Sequence, residues 1–271
     1  MTWQPTARKD FRDAVRSRTI WLLLAAFVGL FVLGSLALGP DSGPFDAFVE
    51  TTFENVYGVV PLVGILLGYK AVLYERESGT LVLALSLPQS RRDFVVGKFV
   101  GRSLVLAVSV VAGLVVGGAF AVTQYDAPSI GSYLIFIGAT VLYGAAFVSV
   151  ALAASMSTTS GRRVLVRAIG AYVVLDRAWN GLVTLLVQLL YRFEISLPSE
   201  LPDWAVALQL ASPSQAYRHI VTTRFGFVGS RAHLDPTAPW IVNSWSAVVV
   251  LLFWIVVPVA LGYLRFRNTD L

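Results

Sequence analysis

The sequence predicts an all-α, polytopic membrane protein with six transmembrane helices. Three observations lead there. Hydrophobic residues make up 56% of the 271 positions and charged residues only 14%, where a soluble domain carries about 25% charged residues. Six segments are mostly apolar and near the length of ~20 residues that a helix needs to cross the hydrocarbon core with its backbone polar groups satisfied internally. Lysine and arginine also alternate from loop to loop rather than spreading evenly, although the chain is basic overall, with a formal charge of +5 and mean hydropathy of +0.71.

The elements follow in order within one domain, 1–271. Residues 1–19 form a leader. Trp3, Ala7, Phe11 and Val15 recur every four residues, opposite Arg8, Arg12 and Arg16. This predicts an amphipathic helix on the inner leaflet, with its aromatics in the headgroup zone and its arginines on lipid phosphates. The spans are expected at about 20–38, 56–73, 99–123, 130–154, 164–190 and 241–264. Ala37 and Gly39 give the first span a signal-peptide flavour, but its apolar run exceeds a typical h-region and five spans follow, so retention is expected.

Orientation comes from the basic residues. The leader holds Arg8, Lys9, Arg12, Arg16 and Arg18, whereas 39–55 has no basic residue and carries Asp41, Asp46, Glu50 and Glu54. Lys70, Arg76, Arg91, Arg92, Lys98 and Arg102 lie in or beside the second loop. The third, around Asp126, has none, and Arg162, Arg163 and Arg167 mark the fourth. Both termini are therefore expected on the cytoplasmic side of a cell membrane. The long segment 191–240 falls outside, and it is not a plain linker: Pro202 precedes DWAVALQL, and Ser212, Pro213 and Gln215 read as an N-cap, a first-turn proline and a capping-box residue. Two short helices carrying Trp204, Leu208, Leu210 and Tyr217 should pack on, or dip into, the outer face.

The densest charge lies in 74–102. Tyr74 marks an interface, Gly79 a backbone break, and the run from Leu81 to Leu87, stopped by Pro88, is too short to span and suits a short surface helix. Ser90 with Asp93 should start the next helix. Topology explains the arginines and lysines, but acidic residues contribute little to orientation, so Glu75 and Glu77 need another reason. A mixed-charge elbow suits docking on another protein.

Tyr74-Glu75-Arg76-Glu77-Ser78-Gly79-Thr80-Leu81, followed by Ser86-Leu87-Pro88, Ser90-Arg91-Arg92-Asp93 and Gly97-Lys98, resembles the signature between the second and third spans of ABC-2-type transporter permeases, with NosY-like and drug-export-type membrane subunits the nearest flavour. The likeness runs over nearly the whole chain. It implies that Glu75, Arg76, Glu77, Ser78, Gly79 and Thr80 form a coupling helix gripped by separate cytoplasmic ATPase subunits. Glu75 and Glu77 would pair with basic groups there, and Arg76 with an acidic one. It also implies a second permease copy, identical or a sister chain, and export as the usual direction. The phosphate cradle GxxxxGK[ST] is missing, since Gly97-Lys98 is followed by Phe99 and preceded by Arg92 where a glycine is needed. ATP and magnesium are accordingly expected on the partner, no cofactor in this chain, and no nucleic acid as ligand.

Deeper in the membrane, Asp176, Asn180, Thr184 and Gln188 recur every four residues with Arg177 beside the aspartate. Such residues are costly in a span and mark either a substrate path or dimer interface, or a network that only fixes packing. The same pair would serve a gradient-driven secondary transporter, though broken helices or repeated halves are not evident in the sequence. A non-transporting assembly or sensor protein fits the pattern as well. Gly64 with Gly68, and Gly113 with Gly117, read as close helix contacts. The spans hold no HExxH, paired aspartates or serine–histidine set, and with cysteine absent and His219 and His233 alone in the outer segment, no metal site is expected. Copper, a sulfur species, a lipid, a drug and a glycan all fit as substrate.

Overall fold

The computed structural model describes residues 3–38, 45–79, 90–125, 128–191, 201–226 and 239–267, and all regular structure among them is helical. In chain order the helices are α1 (Gln4–Arg16), α2 (Arg18–Leu38), α3 (Phe45–Gly68), α4 (Leu73–Glu77), α5 (Arg91–Ala121), α6 (Ile130–Met156), α7 (Gly161–Tyr172), a π-helical turn (Val173–Ala178), α8 (Trp179–Leu190), α9 (Asp203–Leu210), α10 (Pro213–Phe225) and α11 (Ser244–Arg267). Among the described residues, five helical stretches are long and apolar enough to cross a membrane: Phe45–Glu77, Arg91–Ala121, Ile130–Met156, Gly161–Leu190 and Ser244–Arg267. The leader with the first apolar helix, bent by 70°, brings the number to six.

Helix α6 is the axis of the bundle, with α3, α5, α10 and α11 around it. A helix apolar on every side buries every side, and 67% of its apolar window is covered. Close approach is carried by glycine. A Cβ on Gly64 would lie 3.0 Å from the Gly144 carbonyl oxygen, and one on Gly68 2.8 Å from that of Val148, so α3 meets α6 backbone to backbone. Gly117 does the same for α5 on α2, where a Cβ would fall 2.7 Å from that of Phe31. Both glycine pairs thus serve packing, as their spacing predicts.

The second span begins at Phe45, well before residue 56, which corrects the expected loop over 39–55 for its later part. Phe45, Phe48, Val49, Thr52, Phe53 and Val56 form a continuous buried stripe, while Glu50 and Glu54 face outward. The acidic residues lowered the local hydropathy without breaking the helix. The third span begins at Arg91 because Ser90 caps it: its Oγ accepts from the Asp93 amide at 3.0 Å and donates to the Asp93 carboxylate at 2.7 Å. The last span begins at Ser244 because Asn243 Oδ1 accepts from the amides of Trp245 and Ser246 at 2.9 and 3.0 Å.

The leader packs one side on the first turns of α5, with Thr6 against Gly97 and Ala7 and Asp10 against Gly101, while Trp3 and Val15 of its apolar stripe stay exposed. Small residues on both helices make that contact possible. Because Asp10 reaches Lys98 and Arg91 reaches the carbonyl of Arg267, α1, the last turn of α11 and the start of α5 lie at one end of the bundle.

In the described part of segment 191–240, residues 201–226, the second short helix dips into the bundle, one of the two expected arrangements. Pro213–Phe225 buries Ser214, Gln215, Ala216, Tyr217, Ile220 and Val221 among α6, α3 and α11. Ser212 caps it as expected, its Oγ accepting from the Gln215 amide at 3.3 Å and donating to the Leu175 carbonyl at 2.7 Å.

Candidate functional site

The elbow is built where α3 stops. Residues 69–72 turn, and Ser155 Oγ of α6 accepts from the amides of Val72 and Leu73 at 3.2 and 3.1 Å, satisfying the first donors of α4. Val72 and Leu73 are fully buried, so the short helix has a fixed root. Its far end stops at Ser78, whose Oγ donates to the Tyr74 carbonyl at 2.8 Å, and at Gly79 with φ +70°. Glycine enters that left-handed region without steric cost.

Sequence reasoning treats 75–80 as one outward-facing set, but the structure divides it. Glu75 turns inward and forms an ion pair with Lys98. The same ammonium lies 2.8 Å from Asp10, and Asp10 also takes Arg102 at 2.9 Å. Two carboxylates and two cations thus join α1, α4 and α5 in a compact, largely buried network. Arg76 also turns inward: its guanidinium lies over the Phe266 ring at 5.1 Å, with Arg91 on the same ring at 5.8 Å. Arg91 Nη1 donates to the carbonyls of Phe266 and Arg267 at 3.3 and 3.0 Å, satisfying the last turn of α11. Glu77, Ser78 and Gly79 are exposed. Thr80 and the expected surface helix from Leu81 to Pro88 lie outside the described residues.

The second candidate lies at mid-span. The π turn Val173–Ala178 interrupts the fifth span at the residues that sequence reasoning singles out. Its wider winding breaks the four-residue stripe. Asp176 points into the bundle with its side chain fully buried, while Arg177 faces out with 58% of its side chain exposed. They pair at 2.9 Å, Tyr143 donates to the other Asp176 oxygen at 3.2 Å, and Arg177 reaches the Tyr172 hydroxyl from Nε and Nη2 at 3.3 and 3.2 Å. Asn180 is exposed, and Thr184 and Gln188 are half-buried along the flank of Val183 and Val187. The stripe is therefore not one surface: Asp176 belongs to the core, and the others belong to the rim.

That core is polar and aromatic. Tyr143 and Tyr217 stack at 4.4 Å, Tyr217 shares a hydrogen bond with Thr140 at 2.9 Å, Tyr143 shares one with Ser214 at 3.2 Å, and Arg218 covers the Tyr57 ring at 4.6 Å. No spacing signal announces this cluster, since its members lie on four separate stretches of chain. Likewise Asp10 and Lys98 carry no motif in common. Of the two histidines, His219 is buried in α10 and His233 lies outside the described residues.

A family model for ABC-2 family transporter proteins matches residues 4–271. The chain belongs to the ABC-2 transporter family. Two curated relatives carry the name probable ABC transporter permease protein NosY. That of Pseudomonas aeruginosa is 28% identical over 275 residues, covering 97% of this chain and 96% of the relative. That of Stutzerimonas stutzeri is 30% identical over 276 residues with the same coverage. The resemblance drawn from the elbow motif thus extends along the whole ABC-2 bundle, and the elbow between its second and third spans is rooted on the central helix rather than hung from a loose loop.

Proposed function

We propose that this ABC-2 family member is the permease subunit of an ATP-driven transporter whose ATPase is a separate subunit holding ATP and magnesium. The observation that carries the proposal is the wiring of the elbow: Glu75 is tied through Lys98 to Asp10 of the leader, while Glu77, Ser78 and Gly79 stand exposed beside it. Force applied to the exposed tip reaches α1, α4 and α5 together. In this reading Glu77 to Gly79, continuing into Thr80, meet the ATPase on the cytoplasmic side, and Glu75 and Arg76 hold the handle to the bundle. Both termini share that side in the cell membrane.

A second copy of the chain covers the fifth span. Only 22% of its apolar window is buried within one copy, as for the last span, and what singles the fifth span out is an arginine exposed at its middle, where single-copy surroundings would be hydrocarbon. An exposed charge at that depth needs protein or water around it. The substrate path then runs along Arg177, Asn180, Thr184 and Gln188 between the two copies, with export as the direction carried over from the family resemblance.

The test is reconstitution of the full chain with its ATPase in sealed vesicles. ATP hydrolysis that rises with the permease present, and that loses its link to transport in Glu77→Lys, supports the reading. Flux driven by an ion gradient without ATP would overturn it in favour of a carrier centred on Asp176 and Arg177.

A further inference from the structure

We infer that Glu54 of one copy pairs with the partner's Arg177 across a two-fold axis, so that two ion pairs bar the path between the copies; this rests on the two-copy reading of the fifth span. Within one copy both groups are left over. Arg177 uses Nε on Asp176 and the Tyr172 hydroxyl and Nη2 on the same hydroxyl, while its Nη1 has no hydrogen bond among the described residues. Asp176 is shared with Tyr143 on the buried side. Glu54 is exposed and enters no ion pair or hydrogen bond among the described residues. Arg218, which packs on the same stretch of α3, lies over the Phe53 and Tyr57 rings at 5.5 and 4.6 Å and is not paired with it. Charges at membrane depth are costly unless they meet a partner or water.

Their placement brings the two together between copies. Arg177 Nη2 lies against α3 at Gly58, where a Cβ would sit 3.8 Å from it. Glu54 is four residues earlier, so it lies on the same face of α3, about 6 Å further outward. Within its own copy Arg177 is drawn the other way, to Tyr172 on the elbow side. The exposed face around it is open: Gly170 and Gly181 are exposed, and a Cβ on either would meet nothing within 4 Å. Small residues let a second helix come close. A two-fold axis sets the same patch against itself, which brings Arg177 toward its own copy, like charge toward like. Each then needs an acid from the opposite chain. Glu54, one turn away on that face, supplies it, and the crossed pairs satisfy four charges at once.

The pairs fall at a boundary. Toward the elbow the exposed residues of the fifth span are Val166, Ile169, Val173 and Val174, whereas Asn180, Thr184 and Gln188 follow outward. The crossed pairs close the polar half of the path at its inner end, and substrate passes when the two copies separate there.

The chain has no cysteine, so two differently tagged full-length copies can carry one each. One holds Glu54→Cys. The other holds Arg177→Cys with Asp176→Asn, which removes the carboxylate that would be stranded. Mild oxidation in native membranes should give a disulfide-linked dimer bearing both tags, several-fold more than when Val249→Cys replaces Glu54→Cys. A second measurement needs no cysteine. Close interfacial charge pairs couple strongly enough that Glu54→Gln should weaken co-purification of the two tags at least about ten-fold. Glu50→Gln, one turn further out and also exposed, should leave it unchanged, and equal melting temperatures check the fold of both variants. Mixed-tag linkage at the Val249 level, or undiminished co-purification in Glu54→Gln, overturns the pairing. If Asn180→Cys still cross-links in that case, the two-copy reading stands without it; tags that do not co-purify in the unaltered chain remove both.

Discussion

Lys98 and Asp10 are 88 residues apart in the chain and 2.8 Å apart in the fold, and Glu75 approaches the same ammonium from a third helix. Lys98 is only 8% exposed. Two carboxylates, Asp10 and Glu75, balance its buried charge. The lysine is the pin through leader, elbow and third span.

Replacing Lys98 with Met should therefore take from Asp10 and Glu75 the buried cation they share, leaving Arg102 on Asp10. Breaking a buried pair on one side costs about 3–5 kcal/mol. The expected result is a clear fall in melting temperature in detergent and faster proteolysis of the leader. Adding Asp10→Asn and Glu75→Gln to Lys98→Met should recover much of the loss. Additive losses across the three sites would mean that they are not coupled.

At the elbow, Glu77 and Glu75 should separate. Glu77→Lys alters an exposed group and is expected to leave the melting temperature within a degree or so while weakening co-purification of the ATPase. Glu75→Ala should lower both, because it removes one arm of the Lys98 network. Both changes together uncouple hydrolysis from transport without preventing membrane insertion. Undiminished ATPase association in Glu77→Lys would move the contact away from this tip.

Gly79 supplies a different test of the same handle. Its φ of +70° has open space around it, so the effect of a side chain is conformational rather than a clash. Alanine or valine there costs roughly 1–2 kcal/mol locally, while asparagine is better tolerated. The order Gly, Asn, Ala, Val should appear in ATPase-coupled transport and not in expression level. A flat series would show that the left-handed turn is not used.

Both the elbow and the number of spans could be read from sequence because each depends on local chemistry: runs of apolar residues, a glycine break, a serine cap. What could not be read depends on partners brought from afar. The stripe Phe45, Phe48, Val49, Phe53 was hidden among acidic residues whose side chains simply face the other way. The inward turn of Glu75 and Arg76 required Lys98 and Phe266, on two other helices. The regular spacing of Asp176, Asn180, Thr184 and Gln188 assumed 3.6 residues per turn, and a π turn removes that assumption at the residue that matters.

The ion pair within that π turn should behave asymmetrically. Asp176 is buried and Arg177 exposed, so Arg177→Leu strands a carboxylate whose remaining hydrogen-bond donor is Tyr143, whereas Asp176→Asn leaves a neutral amide in the same place. The arginine variant is expected to be the less stable by melting temperature, by an amount on the order of a few kcal/mol. Asp176→Asn with Arg177→Gln should be close to Asp176→Asn alone. Equal damage from the two single changes would mean that burial does not set the cost.

Exposure along the fifth span predicts where two copies touch. Asn180 lies one turn from Arg177 on the uncovered side, whereas Val183 and Val187 face their own bundle. In a chain with no native cysteine, Asn180→Cys should form a disulfide-linked dimer on mild oxidation in native membranes. Val183→Cys should not, because its side chain is shielded by its own copy. Cysteine at Val249, also exposed but on the last span, is the control for random collision. Cross-linking at Val249 equal to that at Asn180 would show that the fifth span faces lipid, and the exposed guanidinium of Arg177 would then need a water-filled path within a single copy.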